Sequence, residues 1–263
     1  MKQARRLSFG KVAELYDRTR PSYPAALVEE LIALAGLGQG ERLLEVGAGT
    51  GKATLMFASR GVPVLAIEPS AEMAAVARRN CAPYLGVSIV QSDFERWRPA
   101  GERFPLLYSA QAWHWIAPEV RFARARQALA PGGSLAAFWN RVDWSSCELQ
   151  EELQAAYRRA APEFAVDGPM HPAGLERGQL SGQWTAEIAD EPQFESPAVE
   201  EFPWTREYST EEYVALLRTH SDHHLLEERQ REKLLAAVAE VLDCNGGVIR
   251  VPYETQLCLA RAR

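Results

Sequence analysis

The chain has 263 residues, of which 47% are hydrophobic and 24% are charged, and it contains 18 Gly and 16 Pro. This composition is typical of a globular protein with a sizeable core, and it excludes collagen-like, disordered and low-complexity chains. The formal net charge of -6 argues against nucleic acid as a partner, because a protein that holds a phosphate backbone needs an excess of Lys and Arg.

The N-terminal segment and the cysteines predict where the protein works. Residues 1–18 include basic side chains but no apolar stretch like that of a secretion signal, and nowhere do 18 apolar residues run together. Cys81, Cys147, Cys244 and Cys258 show no C-x-x-C spacing, which predicts neither a disulfide framework nor a zinc site. We expect a soluble, cytoplasmic protein with no metal and no membrane partner.

Helices and strands alternate through the first half of the chain. Two helices, predicted at 11–18 and 24–36, precede the first strand. The alternation that follows is typical of a parallel sheet with helices on both faces. Its strands are expected at 42–47, 63–68, 87–92, 104–110 and 133–139, and its helices at 51–60, 70–80 and 118–129.

The pattern changes after residue 140. We expect the closing strand, which begins after "NGG", to be an edge strand of the sheet that pairs with a strand-like stretch at 193–208. The helices between these two strands are predicted to cap the ligand end of the sheet. The remaining elements of this half are a helix at 147–160, a loop at 161–182, and helices at 210–219 and 226–243.

Together these elements predict one α/β domain with a Rossmann-like sheet. The sheet is expected to have seven strands, mostly parallel, with one antiparallel edge strand and helices on both faces. Within the domain we expect an N-terminal helical lid at 1–36, a cofactor-binding core at 42–140, and an acceptor cap with the closing strands at 141–263.

The glycine-rich stretch "GAGTGKAT" at 47–54 raises the question of which ligand it approaches. A nucleoside-triphosphate loop is excluded, because Val46 stands where its first glycine belongs and Ala53 where its magnesium-binding hydroxyl belongs. A dinucleotide turn is incomplete too, because Lys52 stands in the place of its third glycine. What remains is the pattern E-x-G-x-G-x-G, beginning at Glu45.

This pattern resembles motif I of the class I S-adenosylmethionine-dependent methyltransferases, and the resemblance continues in order across residues 42–140. It implies that S-adenosylmethionine is the cofactor and that the turn lies against its methionyl part. The turn residues that the resemblance assigns to the cofactor are Glu45, Gly47, Ala48, Gly49, Thr50 and Gly51.

Strand-end residues provide the rest of the expected cofactor site. Glu68, in "VLAIEP", follows the turn by about 20 residues, where a carboxylate can accept hydrogen bonds from both ribose hydroxyls. The resemblance adds Pro69 beside it, carries Met73 to the adenine, and carries Asp93 and Phe94 to the adenine amino group and ring. Core packing is the alternative for Met73 and Phe94, and a solvated acid is the alternative for Glu68.

The segment "YSAQAWHW" ends the fourth predicted strand. It resembles the segment that faces the methionyl group and the methyl acceptor in this family. The resemblance implies that Ser109, Ala110 and Gln111 line the cofactor, while His114 and Trp115 face the acceptor and are the catalytic candidates. A structural role in the core is the alternative for both His114 and Trp115.

The N-terminal stretch "FGKVAELYDRTRPSYP" resembles the segment that lies across the cofactor as a lid in related small-molecule enzymes. A spacing of seven places Phe9 and Tyr16 on one helix face. Tyr16 and Arg20 are then candidates to contact the methionyl carboxylate, which prefers a cation or a hydroxyl donor. The alternative is an amphipathic helix that packs on the sheet.

The stretch "LLRTHSDHHLL" stands out in the second half. His220, His223 and His224 have the spacing of metal ligands on a helix, but no fourth ligand accompanies them, which favours a polar helix face. The alternative is that His220 and Arg218 present positive charge to an acidic acceptor.

The expected reaction is transfer of a methyl group to a small-molecule acceptor. The motif "AWHWI" resembles the trans-aconitate and juvenile-hormone-acid type of methyltransferase, which favours O-methylation of a carboxylate or hydroxyl. Two alternatives remain open: a non-catalytic module that binds S-adenosylmethionine, and an NAD-dependent oxidoreductase. Either a monomer or a homodimer is compatible with the sequence.

Overall fold

The computed structural model describes residues 13–38, 40–162, 185–220 and 223–263. The predicted start of the first helix, Phe9, and most of the predicted loop at 161–182 lie outside these residues.

The helices and strands of the described residues follow the predicted order. The helices are α1 (Ala13–Thr19), α2 (Ala25–Leu34), α3 (Lys52–Ala58), α4 (Ala71–Cys81), α5 (Pro118–Ala128), α6 (Gln150–Ala160), α7 (Thr210–Leu217) and α8 (Glu228–Cys244), with a further short helix at 185–189. The strands are β1 (Leu43–Val46), β2 (Val64–Glu68), β3 (Val87–Gln91), β4 (Phe104–Ala110), β5 (Leu129–Val142), β6 (Ala198–Ser209) and β7 (Val248–Arg261).

The strands form one seven-stranded sheet in the order β3-β2-β1-β4-β5-β7-β6. Strands β1 to β5 pair in parallel, and β7 pairs antiparallel with both β5 and β6. The Rossmann-like, mostly parallel sheet is therefore confirmed. None of the described helices has the length and apolar character that a bilayer crossing requires.

The closing strand differs from its prediction in position. The expected pairing of β7 with β6 is confirmed, but β7 lies one strand in from the edge and β6 is the edge strand. The difference has a physical reason, because residues 255–260 of β7 are buried as in a central strand, whereas β6 is largely exposed. The continuous apolar run "LCLA" is the sequence signal for such an interior strand.

Strand β5 is longer than predicted at both ends, and the extension matters for the site. Its last residue, Val142, pairs with Tyr253 of β7 and lies three residues beyond the predicted end of the strand. The extension carries Asn140 and Val142 to the carboxyl end of the sheet, where ligands bind in folds of this class.

The core has separate clusters on the two faces of the sheet and a third beneath the cap helices. The cap cluster joins Leu153 and Tyr157 of α6, Leu216 of α7 and Val238 of α8 to Tyr253 of β7. These helices therefore rest on the ends of β5 and β7 and are held there by their own apolar contacts.

The turn between β1 and α3 requires glycine at two positions. Gly47 has a φ of +77°, and a Cβ atom there would lie 2.3 Å from the Cβ atom of Ala112. Gly51 has a φ of +85°, and its Cβ atom would lie 3.2 Å from the Sγ atom of Cys81 on α4. Gly51 thus permits the close approach of α3 and α4, a packing role that the third glycine has in dinucleotide folds.

Substitution of Gly47 tests how much of this requirement is steric. Gly61 has a similar φ of +78°, but a Cβ atom there would meet no atom within 4 Å, so Gly61→Ala isolates the backbone strain of about 1–2 kcal/mol. We expect Gly47→Ala to lower the free energy of unfolding by about 1–3 kcal/mol more than Gly61→Ala, because the new methyl group clashes with Ala112. Urea unfolding of both variants measures the difference, and equal losses would contradict the packing account.

Candidate functional site

A cavity of about 330 Å³ opens at the carboxyl ends of β1, β2 and β4. The topology explains its position, because parallel strands present their loops and helix starts at that edge of the sheet. Most residues predicted for the site line this cavity. They are Tyr16, Arg20, Glu45, Gly47, Ala48, Gly49, Thr50, Glu68, Pro69, Met73, Phe94, Ala110, Gln111, His114 and Trp115.

Three predicted site residues lie outside the lining of the cavity. Gly51 packs against α4, and the hydroxyl of Ser109 donates to the carbonyl of Val46 at 2.8 Å, joining β4 to β1. Asp93 begins a turn through its carbonyl, which accepts from the amides of residues 96 and 97, while its neighbour Phe94 does line the cavity. The direct cofactor contacts expected for Gly51, Asp93 and Ser109 have no counterpart in this lining.

Glu45 is the penultimate residue of β1 and is fully buried where it lines the cavity. Its Oε2 atom accepts hydrogen bonds from Thr54 (2.5 Å) and from the hydroxyl of Tyr108 (2.9 Å). Its Oε1 atom has no hydrogen-bond partner among the described residues, and neither does the buried hydroxyl of Thr50. Burial raises the pKa of Glu45 to about 7. The cavity therefore contains two buried polar atoms that a ligand can satisfy.

Glu68 links the end of β2 to the glycine turn. Its Oε2 atom accepts from the amide of Gly49 at 2.8 Å, and its Oε1 atom accepts from the amide of Ser70 at 2.9 Å. These bonds fix the carboxylate at the cavity wall. Because a carboxylate can accept about four hydrogen bonds, it can also accept from a ligand.

The N-terminal segment lies between the cofactor half and the cap. The Arg20 guanidinium donates from Nε to the hydroxyl of Thr219 and from Nη2 to the carbonyl of Thr219, both at 2.8 Å. It also lies over the ring of Tyr16, 5.2 Å from its centroid. At the other end of α1, Glu14 forms an ion pair with Arg79 of α4 at 2.6 Å. Arg20 thus connects α1 to the cap, a contact that the sequence did not predict.

His114 and Trp115 lie in a short 3-10 turn, Trp113–Trp115, that follows β4. Trp139 of β5 donates from its indole nitrogen to Nδ1 of His114 at 3.3 Å. Since Nδ1 accepts this hydrogen bond, a neutral His114 ring carries its proton on Nε2. The geometry favours His114 as a hydrogen-bond donor to a ligand rather than as a base at Nε2.

The histidines of the cap separate into different environments. His220 lines the cavity, whereas His223 is buried and shares a 2.8 Å hydrogen bond with the hydroxyl of Tyr157. Arg218 forms a bidentate ion pair with Glu232 and does not line the cavity, so its expected role in binding an acceptor is not supported. No group of three potential metal ligands occurs in the described part of the chain.

Several lining residues were not predicted from the sequence. Lys52 directly follows the last glycine of the turn, and this place in the sequence could have identified it as a lining residue. Asn140 and Tyr253 reach the cavity only through the pairing of β5 with β7, which the sequence does not specify residue by residue. The further unpredicted residues are Pro21, Tyr23, Val46, Ala53, Ile67, Ser92, Glu95, Ala112, Ile116, Val142 and Leu216.

Comparisons with known proteins identify the class to which this arrangement belongs. Residues 43–133 match the profile of the methyltransferase domain family. Over 92% of its length the chain superposes on 97% of a candidate type II methyltransferase from Anaeromyxobacter dehalogenans, with a TM-score of 0.64 and 23% identity. The fold is therefore the Rossmann-like fold of the class I methyltransferases.

The sequence relatives are also methyltransferases by name. An uncharacterized methyltransferase of Mycobacterium tuberculosis is 35% identical over 147 residues, which cover 52% of this chain and 54% of the relative. The trans-aconitate 2-methyltransferase of Delftia acidovorans is 33% identical over 187 residues, covering 62% of this chain and 66% of the relative. The matched segment thus spans about half the length of the mycobacterial protein. Residues 43–133 of the chain therefore belong to the methyltransferase domain family.

The buried carboxyl of Glu45 predicts a pH-dependent stability. Its pKa rises from 4.5 to about 7 on folding, so the folded state keeps a proton that the unfolded state releases between these values. The contribution of protonated Glu45 to the free energy of unfolding is therefore complete below pH 4.5 and is lost as the pH rises to 7. At 1.36 kcal/mol per pKa unit, the loss is about 3 kcal/mol.

Glu45→Gln removes this titration and is the matched variant. We expect the free energy of unfolding of the wild-type protein to fall relative to that of Glu45→Gln between pH 5 and pH 8. Chemical denaturation at both values measures the change. A difference between the two proteins that does not depend on pH would contradict the raised pKa.

Proposed function

We propose that the chain is an S-adenosylmethionine-dependent methyltransferase that methylates a small molecule, with a carboxylate oxygen as the favoured acceptor over a hydroxyl. The observation that carries the proposal is the unpartnered Oε1 atom of Glu45, buried in a cavity formed around the glycine turn of this family. Bound S-adenosylmethionine would supply an activated methyl group for transfer.

The residues around the turn fit this cofactor. The carboxylate of Glu45 can accept from the methionyl ammonium, and Thr50 offers a second buried polar atom nearby. A Cβ atom at Gly49 would meet no atom within 4 Å, so a ligand can lie against the bare backbone there. Glu68 is positioned for the ribose hydroxyls, and Met73 and Phe94 supply apolar surface for the adenine.

The charge distribution of the cavity supports an anionic acceptor. Arg20, His114 and His220 line the cavity together with the acids Glu45, Glu68 and Glu95. The carboxylate of Glu95 is held by the amide of Ala117 at 3.3 Å, so cationic or donor groups remain on the wall for an anionic acceptor. A carboxylate is already ionised at neutral pH and requires no general base, which agrees with a His114 ring that donates from Nε2. The trans-aconitate 2-methyltransferase among the relatives has a name that implies an acceptor of this class.

The chain's own contribution to catalysis is positioning. Apolar side chains at the acceptor end exclude water, and a donor from His114 holds the acceptor so that its oxygen faces the methyl group. The apolar walls are formed by Trp115, Ile116, Val142 and Leu216.

Calorimetric titration of Glu68→Gln tests the cofactor site. We expect the wild-type protein to bind S-adenosylmethionine and not NAD, and Glu68→Gln to bind it about 10- to 100-fold more weakly, because one charged acceptor for the ribose is lost. Glu72→Gln, which alters an exposed carboxylate outside the cavity, is the control and should bind normally. Binding of NAD alone by the wild-type protein would refute the proposal.

Variants of His114 test the nature of the acceptor. If His114 acts as a donor, His114→Ala should lower kcat/KM by about 10- to 100-fold, while His114→Gln, whose amide still donates, should retain most of the activity. Formation of S-adenosylhomocysteine with a panel of carboxylic acids, beginning with trans-aconitate, measures the effect. Equal loss in both variants would indicate a general base instead, and with it a hydroxyl acceptor.

A further inference from the structure

Lys52 is the first residue of α3 and directly follows the glycine turn. Its side chain is half-buried and lines the cavity. Within the part of the chain that the structure describes, its ammonium forms neither a hydrogen bond nor an ion pair within 4.0 Å. A partly desolvated cation of this kind costs free energy until an anion pairs with it.

The charges around Lys52 leave room for such an anion. Asp17 of α1 attracts the ammonium from a distance, but its carboxylate accepts a hydrogen bond from Asn80 at 3.1 Å. Arg206 of β6 brings a second positive charge to the same region, and burial together with Arg206 lowers the pKa of Lys52. Asp17 therefore balances this positive charge only in part, and no acid forms an ion pair with Lys52 among the described residues.

Glu45 precedes the same turn in the chain and also lines the cavity. Its unpartnered Oε1 atom is a buried acceptor, while Lys52 is a cation, and residues 47–51 separate the two in the chain. An acid and a base that flank one short backbone segment match the ammonium and the carboxylate of an α-amino acid. Other small anions would satisfy Lys52 but would leave Glu45 without a partner.

Arg20 was the sequence-based candidate for the methionyl carboxylate, but two of its donor atoms already bind the cap. Its Nε and Nη2 atoms donate to Thr219 of the cap. We infer that Lys52, rather than Arg20, binds the methionyl carboxylate of the cofactor, with Glu45 accepting from the ammonium. This inference rests on the proposed function and assigns a residue within its cofactor site.

The assignment predicts which ligands Lys52 distinguishes. S-adenosylhomocysteine carries the amino-acid headgroup, whereas 5′-methylthioadenosine has the same nucleoside and a thioether but no amino acid. A residue that binds the carboxylate changes the affinity for the first ligand only. A residue that merely supports the turn changes the affinity for both.

The experiment is calorimetric titration of both ligands into wild-type protein and four variants. We expect Lys52→Met to lower the affinity for S-adenosylhomocysteine by about 10- to 100-fold, because a hydrogen bond to a charged group is lost. The affinity for 5′-methylthioadenosine should not change. Lys52→Arg keeps the charge and should restore part of the affinity. Arg18→Met removes an exposed charge of α1 and should affect neither ligand, while Arg20→Met tests the rival assignment.

Three outcomes would overturn the inference. If Lys52→Met binds S-adenosylhomocysteine normally while Arg20→Met does not, Arg20 is the residue that binds the methionyl carboxylate of the ligand. If Lys52→Met weakens both ligands equally, Lys52 only supports the turn. If the wild-type protein binds neither ligand, the proposed function itself fails, and this result is distinct from the other two because it does not depend on any variant.

Discussion

The carboxylate of Glu45 lies at the point where the sheet, the glycine turn and the cavity meet. Tyr108 of β4 and Thr54 of α3 both donate to one of its oxygens, so a neighbouring strand and the helix after the turn hold the side chain in one orientation. The other oxygen faces the cavity without a partner among the described residues. Burying an acid in this way is costly, and a cationic group on the ligand explains why the fold retains it.

The remainder of the proposed cofactor site is arranged around that acid. Gly47 brings the backbone close to Ala112 after β4, and Glu68 fixes the amide of Gly49. These contacts determine the shape of the turn before any ligand binds, and such preorganisation reduces the entropy lost on binding. Lys52 directly follows the turn and lines the same cavity, so an acid and a base precede and follow one short stretch of backbone.

Helix α1 and the residues that follow it contact both α4 and the end of α7, and under the proposed function these contacts would relate cofactor binding to acceptor binding. Arg20 donates twice to Thr219, the residue before His220, while Glu14 pairs with Arg79 on the cofactor side. The segment between these contacts therefore touches both halves of the cavity. A cofactor that orders α1 would also fix the end of α7, where His220 lines the acceptor part of the cavity.

The sequence predicted the fold of residues 42–140 well because its signals are local. The turn at 47–51, the strand-end acid Glu68 and the apolar strands depend on neighbouring residues, and their spacing is sufficient to order them. The acceptor half depends on long-range register instead. Asn140 and Tyr253 reach the cavity only because β7 lies between β5 and β6, and Arg20 contacts Thr219, a residue far away in the chain. No short pattern encodes such contacts.

A crystal structure of the protein with S-adenosylhomocysteine tests the central claim most directly. The account predicts that the amino group of the ligand lies within hydrogen-bond distance of Glu45 Oε1 and that its ribose hydroxyls donate to Glu68. A ligand bound elsewhere, or bound at the turn with its amino group away from Glu45, would contradict it.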